Sequence, residues 1–140
     1  MIESTINGIF STPIYISKLG RNLTKKELSF IDKSKLDVYK NEGNTTSNDN
    51  YILNEKFFFN IKKELNLKVQ DYFDKVISPA NKITPYITQS WLNYTETNQY
   101  HHKHTHPNSL VSGVFYINCH KENDKIKFFN NNYKTIQLET

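Results

Sequence analysis

The clearest periodic pattern in the chain is an apolar stripe that returns every four residues across its middle. Its members are Phe57, Ile61, Leu65, Val69 and Phe73, widened by Phe58, Tyr72, Val76 and Ile77. A four-residue recurrence with charged residues in the gaps is typical of an amphipathic helix. We predict a helix from about Asn54 to Ile77 that stops before Pro79, with its aromatic residues packed against a sheet.

Shorter patterns precede this helix. Residues 8–17, GIFSTPIYIS, are rich in β-forming residues and predict a strand that is interrupted by Pro13 and lies at a sheet edge or contains a bulge. Thr24 followed by Glu27 has the spacing of a capping box and predicts a short helix. The polar run 41–50, NEGNTTSNDN, predicts a surface loop.

Beyond residue 82 the pattern changes to β-type runs. We predict strands at residues 83–94, 110–118, 125–129 and 134–138. Helices therefore come first and an antiparallel β unit follows, which makes the fold class α+β. The 140 residues fit a single domain, with an N-terminal strand and helices at 1–80 and a β core at 81–140.

The formal net charge of +4 is weak evidence for a nucleic-acid partner. All but one of the 18 basic residues are lysine, the exception being Arg21, whereas nucleic-acid-binding domains more often cluster arginine beside exposed aromatic residues. No apolar run reaches the length of a membrane span, the N-terminus lacks the pattern of a signal peptide, and the single Cys119 excludes an internal disulfide. We therefore expect a cytoplasmic protein whose partner is neither nucleic acid nor a membrane.

The most informative stretch for chemistry lies between the first two predicted strands of the β core. It places four of the five histidines within six positions, at His101, His102, His104 and His106. An expression tag would be terminal and uninterrupted, whereas this run is internal and broken. Residues two apart lie on the same side of an extended chain, so His104 and His106 can chelate one ion. Since imidazole suits zinc, copper, iron and nickel, the pattern predicts a metal site.

The residues around this run also carry a family resemblance. FSTPIY stands at 10–15, Trp91 and Asn93 precede the run, HTHPNS occupies 104–109, and SGVFY follows at 112–116. These motifs resemble the F-x-T-P, W-x-N, H-x-H-P-N-S and S-G-V-Y-Y motifs of a family of 2-oxoglutarate- and Fe(II)-dependent oxygenases. The resemblance implies a double-stranded β-helix, a jelly-roll relative with helices on one side. It also implies Fe(II) as the metal and 2-oxoglutarate as cosubstrate.

The resemblance further implies roles for individual residues. His104 would be the first metal ligand and His106 the second. Tyr94, ten positions before His104 as in prolyl-hydroxylase-like members, and Tyr116, in a strand of the type I-Y-Y-L-N, would contact 2-oxoglutarate. Ordinary strand packing with a bonded hydroxyl is an equal interpretation of both tyrosines. The turn before the first ligand commonly holds Gly, and Asn98, which stands there, also tolerates a positive φ.

Two features depart from the family pattern. The usual ligand set is two histidines and a carboxylate, arranged as H-x-D and a distant His, but position 106 is histidine. The distant His and the basic residue that holds the far carboxylate of 2-oxoglutarate should follow on later strands, yet the sequence has neither His nor Arg after His120. A jelly roll needs about eight strands to close, more than the pattern supplies. We therefore expect an incomplete, N-terminal portion of a longer protein.

The resulting hypothesis is an Fe(II)- and 2-oxoglutarate-dependent dioxygenase of the hydroxylase type. Its substrate is unknown; a peptidyl residue, a nucleobase and a small metabolite are all compatible. One alternative is a cupin-like metal protein that does not use 2-oxoglutarate, since cupins also carry H-x-H on a barrel strand. The other is a catalytically inactive structural or interaction protein.

Overall fold

The computed structural model describes residues 12–120 and 122–129. This part of the chain has two α-helices and a three-stranded antiparallel sheet, in the order α1 (Lys25–Ser34), β1 (Val38–Lys40), β2 (Thr45–Ser47), α2 (Phe59–Tyr72) and β3 (Asn93–Tyr94). The predicted α+β class is therefore confirmed. The chain divides into two units, the first ending at Lys103 and the second beginning at His104. All five elements belong to the first unit.

Helix α1 begins where the capping-box spacing predicted. The hydroxyl of Thr24 accepts from the Glu27 N–H at 3.2 Å, and the Glu27 carboxylate accepts from the Thr24 N–H at 2.6 Å, which satisfies amides that a helix start leaves unpaired. Glu27 is buried, and Arg21 donates to both of its carboxylate oxygens. Arg21 Nε also donates to Glu64 of α2 at 2.7 Å. The guanidinium therefore ties the two helices together.

The predicted long helix is confirmed over most of its length. Short 3-10 turns precede α2 and a π-helical turn follows it, at Ile52–Asn54, Lys56–Phe58 and Phe73–Ile77. The helical path ends at Ser78, whose φ of 44° is left-handed. Three members of the apolar stripe are buried, namely Phe58, Ile61 and Phe73. Phe57 is 39% exposed and stacks on Phe30 of α1, so the N-terminal end of the stripe packs against a helix.

The sheet forms partly where a loop was predicted. Strand β2, at 45–47 inside the predicted loop, pairs antiparallel with β1 (Val38 opposite Ser47) and with β3 (Thr46 opposite Asn93). The loop prediction is therefore wrong at these residues. Thr46 and Ser47 are polar and yet buried, and the Thr46 hydroxyl donates to Asn93 Oδ1 at 2.9 Å.

The other predicted strands do not form in the described residues. Only Asn93–Tyr94 of the range 83–94 is strand, and residues 12–17, 110–118 and 125–129 have irregular backbone. Residues 8–11 of the first predicted strand and the strand at 134–138 lie outside the described residues. The strand prediction is therefore wrong for these described residues, because a strand needs a partner for its backbone groups as well as apolar side chains. Apolar side chains in the second unit are accordingly exposed, among them Leu110, Val114 and Phe128.

The core of the first unit lies where α1, the 3-10 turns, α2 and β3 meet. Its buried apolar residues are Ile31, Ile52, Phe58, Ile61, Phe73 and Leu92. Strand β3 joins this core through Tyr94, whose hydroxyl donates to the Ile31 carbonyl of α1 at 2.9 Å. The described helices are all too short or too polar to cross a bilayer.

Candidate metal centre

The histidine run follows a turn that the β1–β2 hairpin holds in place. In this turn the Gln99 N–H donates to the Glu96 carbonyl at 3.0 Å, and Asn98 takes a φ of 66°, as expected for a residue in place of Gly. The next N–H, that of Tyr100, donates to the carbonyl of Gly43 in the hairpin turn at 3.0 Å. Gly43 has a φ of +83°, and a Cβ there would lie 2.4 Å from the Tyr100 carbonyl oxygen. Glycine is therefore required at position 43, where the hairpin turn contacts the residue before the histidine run.

Asn44, the neighbour of that glycine, reaches the first histidine of the run. The Asn44 side chain is buried, with 3% of the residue exposed. Its Nδ2 lies 3.1 Å from His101 Nδ1 and 3.3 Å from the Thr95 hydroxyl. Its Oδ1 accepts no hydrogen bond from the described residues. A buried amide thus holds the ring of His101 from one side.

The two histidines predicted as ligands are brought together. His104 Nε2 and His106 Nε2 lie 2.9 Å apart, with their ring centroids 4.7 Å apart and the planes inclined by 64°. Two metal–nitrogen bonds of about 2.1 Å at a right angle put their nitrogens about 3.0 Å apart. The observed separation fits two neighbouring ligands of one ion, and it equally fits a hydrogen bond between a protonated and an unprotonated ring nitrogen.

The residues after the second histidine form a tight turn. The Ser109 N–H donates to the His106 carbonyl at 3.1 Å, which places Pro107 and Asn108 at the two central positions. Proline suits the first of these because its φ is already set near −65°. The Ser109 hydroxyl then donates to the Val111 carbonyl at 2.6 Å. The H-P-N-S motif therefore restricts the backbone on the C-terminal side of His106.

The other two histidines of the run lie at the end of the first unit. His102 is half-buried, whereas His101 is exposed. Their ring centroids lie 5.1 Å apart, with the planes inclined by 44°. The sequence pattern assigned neither of them a role.

The two tyrosines predicted to contact 2-oxoglutarate lie in different surroundings. The Tyr94 hydroxyl is bonded to the Ile31 carbonyl, and burial raises the pKa of this phenol. Lys35 Nζ lies 5.7 Å from the centroid of its ring. Tyr116 in the second unit is 49% exposed. The structure thus uses the Tyr94 hydroxyl inside the first unit and leaves much of Tyr116 accessible.

The contribution of the hairpin to this region was not found from sequence. Gly43 and Asn44 stand in a polar run that predicted only a surface loop. Glycine and asparagine are common in any turn, so their types alone carried no sign of a contact with residues more than fifty positions away. The buried pairing of β2 with β3, which brings the hairpin turn to the run, depends on polar hydrogen bonds that have no periodic signature.

Residues 89–140, a little over a third of the chain, match the family described as "Putative 2OG-Fe(II) oxygenase". The match includes Tyr94, all four histidines of the run and Tyr116. Curated proteins and solved structures offer no significant match to the chain. The family predicted from the motifs is therefore supported by an independent comparison.

Proposed function

Because residues 89–140 match the family of 2-oxoglutarate- and Fe(II)-dependent oxygenases, we propose that this chain carries the metal-binding segment of a dioxygenase of the hydroxylase type. His104 and His106 hold Fe(II) in this proposal. The observation that carries it is the 2.9 Å separation of their Nε2 atoms inside the matched segment. Imidazole nitrogens are ligands that Fe(II) accepts.

When bound, Fe(II) with 2-oxoglutarate and O₂ supplies the oxidation that hydroxylates a substrate C–H bond. The chain's own residues would hold the metal and restrict the backbone next to the metal ligands. The turn from His106 to Ser109 restricts the backbone of the second ligand. A ligand pair whose backbone is partly fixed loses less conformational freedom on binding than a pair on a flexible chain.

The cosubstrate contact that we propose is the hydroxyl of Tyr116, which is accessible in the second unit. Tyr94 would have to release the Ile31 carbonyl before its hydroxyl could serve 2-oxoglutarate, and breaking such a bond costs about 1 kcal/mol. The packing interpretation is therefore favoured for Tyr94 and the cosubstrate role for Tyr116.

The finer fold of the matched segment is part of the same proposal. Members of this family have a double-stranded β-helix, and we extend that fold to this segment on the strength of the family match. The exposed apolar side chains at 110, 114 and 128 agree with it, because such side chains are stable once neighbouring strands cover them. The substrate remains a matter of class only: a peptidyl residue, a nucleobase or a small metabolite.

The test is an anaerobic titration of the protein with Fe(II), followed by visible absorption with and without 2-oxoglutarate. We expect a charge-transfer band that appears only when both are present. His104→Ala and His106→Ala should abolish the band. His120→Ala is the matched control, because it removes an imidazole of the same unit that lies outside the pair.

Three results would contradict the proposal. Metal binding that ignores 2-oxoglutarate would point to a cupin-like metal protein. Absence of metal binding would point to a structural or interaction protein. An unchanged band in both alanine variants would remove His104 and His106 from the site even if the activity class were right.

A further inference from the structure

We propose that Ser109 is a positioning residue for the metal ligand His106, an inference that rests on the proposed metal-binding function and lies wholly within the second unit. The Ser109 N–H donates to the His106 carbonyl at 3.1 Å and closes the turn after this ligand. The Ser109 hydroxyl donates to the Val111 carbonyl at 2.6 Å and accepts from the Ser112 hydroxyl at 3.2 Å. One side chain therefore joins the turn after His106 to the next three residues of the chain.

The affinity of a two-histidine pair for a metal depends on how far its geometry is set before the metal binds. The Nε2 atoms of His104 and His106 lie 2.9 Å apart. In a freely moving chain this separation would be one of many, and the metal would have to select it at a cost in conformational entropy. Bonds that fix the backbone beside a ligand in the metal-free protein lower that cost.

Apolar packing does little to fix the backbone after the turn. Leu110 is 79% exposed and Val114 is 64% exposed, and a Cβ built at Gly113 meets nothing within 4 Å. A segment with few buried apolar contacts opens readily unless local hydrogen bonds restrict it. The three bonds of Ser109 are of this local kind, and together they span residues 106–112.

The Ser109 hydroxyl stabilises the turn although it does not contact His106. Pro107 presets the backbone at the first central position of the turn, which is the side nearest the ligand. The hydroxyl bond to the carbonyl two residues ahead restricts the backbone on the other side of Ser109. Because the N–H and the hydroxyl belong to the same residue, the hydroxyl bond reduces the freedom that the turn bond alone would have to restrict.

The two bonds of the hydroxyl differ in length, which supplies a matched control. The bond to Val111, at 2.6 Å, lies within the ordinary range of about 2.5–3.0 Å for O–H···O bonds, whereas the bond from Ser112, at 3.2 Å, lies beyond it. Loss of the Ser112 hydroxyl should therefore matter less than loss of the Ser109 hydroxyl. Ser112→Ala is the same chemical change three residues away.

The experiment is a titration with Co(II), followed by visible absorption, of the unsubstituted protein, Ser109→Ala, Ser109→Thr and Ser112→Ala. We expect Ser109→Ala to weaken Co(II) binding by about 3- to 10-fold, the loss that corresponds to one hydrogen bond. Ser109→Thr should bind within about two-fold of the unsubstituted protein, because threonine keeps the hydroxyl donor and acceptor. Ser112→Ala should also remain within about two-fold.

Two further measurements separate positioning from loss of structure. Amide hydrogen exchange at residue 109 of the metal-free protein should be faster in Ser109→Ala and restored in Ser109→Thr. Calorimetry should place the loss of affinity in the binding entropy, because His104 and His106, which make the bonds to the metal, are unchanged. A smaller fraction of binding-competent protein with unchanged affinity would overturn the inference.

The outcomes for Ser109 and for the metal site are distinguishable. If Ser109→Ala binds Co(II) as tightly as the unsubstituted protein, or if Ser109→Thr binds no better than Ser109→Ala, the inference is overturned while the His104 and His106 proposal stands. If the unsubstituted protein binds no Co(II), the proposed function and the inference fail together.

Discussion

The ion pair between Arg21 and Glu27 gives the first unit a stability that depends on pH. The Glu27 side chain is only 3% exposed and accepts two bonds from the guanidinium, at 2.7 and 2.9 Å. These bonds, together with those from Thr24, lower the pKa of Glu27 from its ordinary 4.5 to about 2. Glu27→Gln keeps the size of the side chain and an acceptor for the Thr24 N–H, but it removes the charge.

The sign and size of the effect follow from that pKa. A carboxyl whose pKa is lower in the folded than in the unfolded state contributes stability above its unfolded pKa. That contribution is lost as the pH falls from about 4.5 to about 2. At 1.36 kcal/mol per pKa unit the contribution at neutral pH is about 3 kcal/mol. Because the Arg21 side chain is 29% exposed, water screens the pair, and we expect Glu27→Gln to lower the free energy of unfolding by about 2 kcal/mol.

The assay is urea denaturation followed by far-ultraviolet circular dichroism, repeated from about pH 7 to about pH 2.5. The gap between the unsubstituted protein and Glu27→Gln should be constant above about pH 5 and close toward pH 2.5. Glu64→Gln is the matched control, because its carboxylate makes one bond to the same guanidinium and is 28% exposed; we expect about 1 kcal/mol or less. A gap that stays the same at every pH would refute the assignment of this stability to the Glu27 charge.

Two further predictions concern the glycine of the hairpin turn and the two tyrosines. Gly43→Ala should lower the free energy of unfolding by at least about 2 kcal/mol, through left-handed strain and the close approach to Tyr100. Gly20→Ala shares the positive φ but meets nothing within 4 Å, so equal losses in urea denaturation would refute the steric part. Tyr94→Phe should cost about 1 kcal/mol and leave the 2-oxoglutarate-dependent absorption band unchanged, whereas Tyr116→Phe should weaken the band without a loss of stability. The reverse pattern would restore Tyr94 as the cosubstrate contact.

The helices could be predicted because their signals are local. The stripe through Ile61 and Phe73 and the capping box of Thr24 and Glu27 each lie within a few turns of chain, and both predictions are confirmed. The sheet could not be predicted in the same way. Thr46 is buried by a hydrogen bond to Asn93, 47 positions away, and a polar three-residue strand has no alternation that would indicate it.

The candidate metal centre likewise combines a local signal, which the sequence shows, with a long-range contact, which it does not. Two histidines two positions apart indicate a chelating pair, and the structure places their Nε2 atoms 2.9 Å apart. The contact between Asn44 and His101 joins residues 57 positions apart and depends on the sheet that the pattern did not indicate. Because residues 45–47 were predicted as loop and not as strand, the contact that supports His101 could not be predicted.

The histidine at position 106 changes the charge that the site offers to a metal. A carboxylate there would cancel one positive charge of Fe(II), whereas a neutral imidazole cancels none. Downstream in the described part of the second unit, Asp124 is drawn into a local turn, where its side chain accepts from the His120 N–H at 2.6 Å. In the proposed site both positive charges of Fe(II) are left for the dianionic 2-oxoglutarate to balance. Fe(II) should therefore bind more weakly alone than together with 2-oxoglutarate, and a site built in this way depends on its cosubstrate to retain the metal.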